Sequence, residues 1–244
     1  MESSVRMDRK VKLKDAVLIE GLPGIGFVAN ISAIHLIDSL KAEKFGELSS
    51  PYFQDLAISA GDGDIRSPVH ELYYSKASGS GRDVVILYGN TQALTVYGQY
   101  ELCGRILSLA QDLDCKLVIC IGGIKKDKIH DPPRLYCTAT DFETLREIQS
   151  HGLEIFQGQI YGVAGLLLGL AKLRGVRGFS ILVETLGASP DVAAAKVVLA
   201  SLKKILGLGV DLEGLDKAVD HASGILKSFG LIEAKRSGEL FGSV

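Results

Sequence analysis

The residues best placed to do chemistry lie in the stretch Glu20-Gly-Leu-Pro-Gly-Ile-Gly-Phe-Val-Ala-Asn30. Gly21, Gly24 and Gly26, with Pro23, let the main chain pass close to a neighbour and aim N–H groups into one concavity, where the positive end of a following helix favours an anion or a carbonyl oxygen. Gly24, Gly26 and Ala29 match the G-x-G-x-x-G/A spacing of a dinucleotide fingerprint, with Glu43 or Glu47 near the place of its ribose-binding acid. Pro23 removes an amide just ahead of the glycine pair, Gly21 lengthens the turn, and no Gly-Lys-Ser/Thr follows to make a phosphate loop. The same residues also read as a tight turn whose glycines only let a helix pack closely on a strand.

Gly89-Asn90-Thr91-Gln92, Gly122-Gly123, and Glu184 with Gly187 each close an apolar run, as Glu20-Gly21 does. Open α/β sheets place their ligand crevice at the carboxyl ends of parallel strands. The pattern therefore predicts a cleft lined by Glu20, Gly21, Gly24, Gly26, Asn90, Gln92, Gly122, Gly123 and Glu184. The plainer reading is that glycines end strands in any α/β chain and that the two glutamates cap helix starts. No nucleophile stands beside a base, so no catalytic residue is assigned. His35, His70, His130, His151 and His221 show no metal-ligand spacing, and neither a metal nor a cofactor is expected. His130-Asp131 sits in a mixed-charge stretch, 125–133, that reads as a solvated loop able to meet an acidic partner. Cys103, Cys115, Cys120 and Cys137 have no C-x-x-C spacing and read as reduced core thiols of a cytoplasmic protein.

Continuous apolar runs at 16–19, 84–88, 116–121 and 178–185 read as buried strands, each followed or preceded by helical periodicity. That alternation predicts an α/β fold: a three-layer, mostly parallel sheet with helices on both faces. Residues 44–81 lack helical spacing and are expected as an antiparallel excursion at one edge, with a mobile Ser78-Gly-Ser-Gly81 loop. A strand over 134–140, a cap at Thr140 to Glu143 and a buried helix over 163–173 follow. The helix after Gly89-Asn90 presents Tyr97, Tyr100, Ile106, Leu107, Ala110 and Leu113 near helical spacing, a row it is expected to bury, with Glu101 and Arg105 on its polar side. Ser189-Pro190-Asp191 combines a cap, a proline for the first turn and an acid at the positive helix end.

The domain reading is a core over 1–207 and a C-terminal helical appendage and tail over 208–244, packed on the core or on a partner subunit. Leu212, Leu215, Val219, Ala222, Leu226 and Phe229 alternate three- and four-residue steps, a narrow coiled-coil-type seam. With Leu240 and Phe241 they form the candidate interface. Lys plus Arg number 27 against 29 Asp plus Glu, a net charge of −2, so no field recruits nucleic acid or an anionic membrane. The polar opening residues carry no apolar signal core, and the run 163–173 is about half the ~20 residues a membrane crossing needs.

Gly21-Leu-Pro-Gly-Ile-Gly-Phe-Val-Ala-Asn30, Gly89-Asn-Thr-Gln-Ala93 with Tyr97-Gly-Gln-Tyr-Glu101, Gly122-Gly123, Gly162-Val-Ala-Gly-Leu-Leu-Leu-Gly169 and Glu184-Thr-Leu-Gly-Ala-Ser-Pro-Asp-Val192 together resemble the proteasome assembly chaperone 2-like family, in its archaeal branch. The landmarks occur in order and span nearly the whole chain. The resemblance implies a phosphorylase/hydrolase-like fold, a homo-oligomer, and a non-catalytic chaperone that binds proteasome α-subunits. Some archaeal members end in a hydrophobic-Tyr-x tail; here the chain ends Gly242-Ser243-Val244, and Leu240-Phe241 is its nearest imitation. The alternative is a small-molecule or nucleotide-binding enzyme or sensor that uses the turn 21–29.

Overall fold

In the computed structural model, residues 2–59, 63–77, 81–187, 189–213 and 215 are described. They run as β1 (Ser4–Met7), β2 (Val17–Gly21), a 3-10 turn (Ile25–Phe27), α1 (Val28–Ser39), β3 (Glu43–Ser49), β4 (Ile58–Ser59), β5 (Ile65–Arg66), β6 (His70–Ser75), β7 (Val84–Gly89), α2 (Val96–Asp112), β8 (Leu117–Lys125), β9 (Leu135–Ala139), α3 (Phe142–Gln149), β10 (Glu154–Ile155), α4 (Val163–Leu173), β11 (Gly178–Thr185) and α5 (Val192–Leu206). One sheet has the order β1-β3-β6-β7-β2-β8-β11-β9-β10, and β4 pairs separately with β5. Its centre, β7-β2-β8-β11, is parallel. The strands β6, β3 and β1 run antiparallel on one side, and β9 runs antiparallel to β11 on the other.

Strand alternation divides the core into two layers of side chains. Val17 and Ile19 of β2 pack with Val28, Ile31 and Leu36 of α1 and Val198 and Leu202 of α5. Leu18 packs on the opposite face with Leu102 and Ile106 of α2 and Leu167 of α4. Both faces being covered explains why β2 and β11 are buried at every position and read as unbroken apolar runs. The result is the three-layer α/β fold with an antiparallel excursion at one edge.

Several boundaries differ from the sequence reading. β8 does not stop at Gly122-Gly123; it continues to Lys125, in register with β11 through Thr185. The helix caps also move inward. Asp141, not Thr140, caps α3 by accepting from the Thr144 amide at 2.8 Å, and Asp191, not Ser189, caps α5 by accepting from the Ala194 amide at 2.9 Å. Asp191 wins because it is tied from outside the helix as well: its other oxygen accepts from the Thr185 hydroxyl at 2.6 Å and its amide donates to the Gly26 carbonyl at 2.9 Å. Residues 4–7, too polar to read as a strand, add to the sheet as an edge, where Arg6 pairs with Glu47 at 2.9 Å. Asp141→Ala should lower stability by about 1 kcal/mol through loss of one cap. Urea unfolding checks it; no change would mean that the orphaned amides find water at no cost.

Beyond α5 the chain turns onto α1. The Asp211 amide donates to Ser39 Oγ at 3.0 Å and its carbonyl meets His35 Nε2. Leu212 and Leu215, the first two residues of the predicted seam, pack against the core beside α1 and α5. Val219, Ala222, Leu226, Phe229, Leu240 and Phe241 lie outside the described residues, as do Ser78 to Ser80 of the predicted loop.

Candidate functional site

The glycine turn between β2 and α1 is largely filled by the protein itself. A Cβ on Gly21 would overlap Ala33 Cβ, which is how closely α1 lies on β2. Gly26 has φ +66°, and a Cβ there would stand 2.7 Å from Thr185 Oγ1 of β11. At Gly123, in β8, a Cβ would run into the Ile25 carbonyl. Those glycines join β2, α1, β8 and β11 rather than clearing space for a phosphate. Glu43 and Glu47, offered as ribose-binding acids, sit on β3 with β6 and β7 between them and β2. Glu47 is engaged by Lys44 and Arg6. Gly24 differs from the other glycines: its backbone is extended and nothing lies within 4 Å of where its Cβ would be.

Gly24 opens onto a cavity of about 260 Å³ at the carboxyl ends of β2, β8 and β11. Glu20, Gly24, Gln92, Gly122 and Gly123 meet in its walls, with Leu22, Ile25, Ile121 and Leu182; Ile124, Lys125, Phe156, Gln159, Ile160, Tyr161 and Ala164 complete them. Glu20 is 1% exposed. Its Oε1 accepts from the Leu22 amide at 2.9 Å, and its Oε2 has no partner among the described residues. Burial pushes this carboxyl up to about 7, against the pull of the Leu22 and Ile121 amides. Gln92 is a brace: Oε1 accepts from Gln99 Nε2 at 3.1 Å and from the Val163 amide at 3.4 Å, covering the start of α4, while Nε2 donates to the Pro23 carbonyl.

The remaining candidates lie apart from this cavity. Gly21 and Gly26 are behind it in the β2–α1 packing, and Asn90 is not in its walls. Glu184 is likewise elsewhere, 2% exposed and fully occupied. It accepts from the His130 amide at 3.2 Å, His130 Nδ1 at 2.8 Å, the Arg134 amide at 3.3 Å and the Tyr136 hydroxyl at 3.0 Å. Burial alone would raise its pKa, but the His130 side chain and the two amides outweigh it and hold the carboxyl down at about 2. Thus His130 pairs with Glu184, and the stretch 125–133, expected as a solvated loop, is anchored at one end although its lysines are exposed. The sequence reading missed the outer wall, Phe156, Ile160 and Tyr161. The signal available was two large aromatics set among glycines just before a helix.

Among the described residues no three His, Cys, Asp or Glu side chains gather as a metal site. Cys103 and Cys120, the thiols that face Glu20, are pushed up by burial, Cys103 to about 12. An arrangement of one buried carboxyl and apolar walls can bind a small molecule; it offers no activated nucleophile.

On the outer surface α2 and α4 leave an apolar trough of about 720 Å³. Val96, Tyr100, Ile160, Tyr161, Leu166, Leu170 and Leu173 line it with Gly165 and Gly169, and no charged side chain enters. Val96 is 76% exposed, Tyr161 78% and Leu173 83%. This corrects two expectations: Tyr97 and Tyr100 stay outside the core, and only one face of α4 is buried. No helix among the described residues is long and apolar enough to cross a membrane.

Comparison with known proteins decides the relationship. The PAC2 family model matches residues 18–228. The chain belongs to the PAC2 family. An uncharacterised protein of Methanocaldococcus jannaschii is 35% identical over 216 residues, 86% of this chain and 82% of its own. The crystal structure of Pyrococcus furiosus PbaB, described as an archaeal proteasome activator, is 35% identical with a TM-score of 0.83 over 94% of this chain and 99% of its own. That of Pyrococcus furiosus PbaA, described as an archaeal homolog of proteasome-assembly chaperone, is 25% identical with a TM-score of 0.76 over 93% and 96%. In this PAC2 protein the ordered landmark stretches fall on the β2–α1 turn, the end of β7 and start of α2, the middle of β8, α4, and the β11–α5 turn. They converge on the carboxyl end of the parallel centre.

Proposed function

We propose that this protein is a non-catalytic, proteasome assembly chaperone-like protein that self-associates and binds proteasome α-subunits. The observation that carries this reading is its likeness, along nearly its whole length, to the Pyrococcus furiosus activator. The mechanism is burial of surface rather than bond chemistry. Hydrophobic area removed from water supplies the energy, and a few aromatic anchors supply most of it. The α2–α4 trough is the surface we assign to self-association. It carries both bulky projections, Tyr100, Tyr161 and Leu173, and a shallow glycine-floored channel free of charge, so the same patch on a second copy fits it across a two-fold axis.

Mixing the purified protein with unassembled α-subunits tests the client assignment: a complex at micromolar concentration is expected, and its absence overturns it. Light scattering tests self-association separately. The unaltered chain should give a multiple of the single-chain mass, and the pair Tyr100→Lys and Leu173→Lys should weaken association at least about tenfold, because lysines then face each other across the axis. Both positions are exposed, so the fold should change by less than about 0.5 kcal/mol. A single-chain mass for the unaltered protein rules out the self-association half of the reading.

A further inference from the structure

We infer that the cavity beside Glu20 is a binding site for a small primary amine, whose ammonium group pairs with the Glu20 carboxylate while its hydrocarbon body lies against the apolar walls. The inference does not rest on the proteasome reading. Its basis is a mismatch within the site. Glu20 lies almost wholly out of water, with the Leu22 amide bonded to Oε1 and the Ile121 amide near enough to pull its pKa down, yet Oε2 meets no donor at hydrogen-bonding geometry among the described residues. A buried carboxylate with an open acceptor is costly unless a donor, best a cationic one, meets it. No lysine, arginine or histidine among the described residues forms that pair.

Shape and charge narrow the guest. Leu22, Ile121, Leu182, Phe156 and Ile160 give the walls around Glu20 a hydrocarbon face, with Lys125, Gln92 and Gln159 also in the lining, and the Glu20 carboxylate itself repels an anion. The volume, about 260 Å³, falls below the ~300–1,000 Å³ of sites for drug-sized ligands, so the body is short. A neutral alcohol would fill the open acceptor but leave the buried charge unpaired. Gly24 supplies the open flank, since any side chain there would project into free space.

The site is also acid-sensitive. The titratable groups facing Glu20 are the thiols of Cys103, from α2, and Cys120, from β8; Lys125 stands in the cavity wall. Burial keeps both thiols neutral, so the carboxyl itself, at about 7, sets the pH response. An amine that stays protonated should bind about tenfold more tightly near pH 8 than near pH 6.

Thermal melting of the full chain with benzylamine, n-pentylamine and benzyl alcohol at up to roughly 10 mM, near pH 8, tests the site. The amines should raise the melting temperature saturably and benzyl alcohol should not. Glu20→Gln should lower amine affinity at least about tenfold. Gly24→Leu should abolish the shift by occupying the flank, without backbone strain because φ is −153°, and it carries the test should Glu20→Gln fail to fold. No shift with either amine overturns the inference, as does an equal shift with benzyl alcohol or an undiminished one in the variants.

Discussion

Without any ligand, Glu20→Gln should stabilise the protein by about 3 kcal/mol above pH 7 and change it little near pH 4. The sign follows from which state holds the proton. Folding raises this carboxyl from 4.5 to about 7. Between those values the folded chain keeps a proton that the unfolded chain has lost, so native stability falls as the pH climbs through the window and is level above it. Glutamine mimics the protonated acid and can still accept from the Leu22 amide, so it escapes the fall. For a chain of this length the gain corresponds to roughly 6–12 °C in melting temperature. A variant that is less stable than the parent near pH 8, or a difference that does not change with pH, would refute the assignment of Glu20 as a buried, unpaired acid.

Glu184→Ala should do the reverse, costing about 3 kcal/mol at neutral pH. Here folding lowers the carboxyl from 4.5 to about 2. Its contribution is fully present above 4.5 and is lost as the pH falls toward 2, because the unfolded chain takes up a proton first. Hydrogen exchange supplies a local readout. The His130 and Arg134 amides, both donating to Glu184, should lose protection in the variant while amides in β2 keep theirs. Equal loss in both places would show that the whole domain was weakened instead. The two carboxylates thus give opposite slopes of stability against pH, in windows that meet at the ordinary value for an exposed glutamate.

Much of the scaffold was legible because burial on both faces writes itself as uninterrupted apolar runs, as in β2, β7 and β11. The helix over 163–173 was found with its bounds intact, since a glycine at each side and a polar return fence it. Gly122-Gly123 misled because a glycine pair signals a stop locally, whereas here it admits the Ile25 carbonyl from a segment distant in the chain. The α5 cap slipped by two residues for a related reason: the Gly26 carbonyl, distant in the chain, holds the Asp191 amide. Tyr97 and Tyr100 share helical spacing with the core row, and periodicity alone does not say how wide the buried stripe is. Of the predicted cleft, Glu20, Gly24, Gln92, Gly122 and Gly123 come together, Gly21, Gly26 and Asn90 fall outside its walls, and Glu184 is diverted to brace a loop whose path only the fold reveals.

Ile160 and Tyr161 are walls of two compartments at once, the cavity beside Glu20 and the trough between α2 and α4. A guest that shifts either side chain on one side of that partition alters the contour offered on the other. Thermodynamic reciprocity then makes the influence mutual: whatever factor a small molecule adds to the affinity for a macromolecular neighbour, that neighbour returns to the small molecule. A single short stretch of backbone, 156–162, is therefore where metabolite level and assembly state would be read against each other.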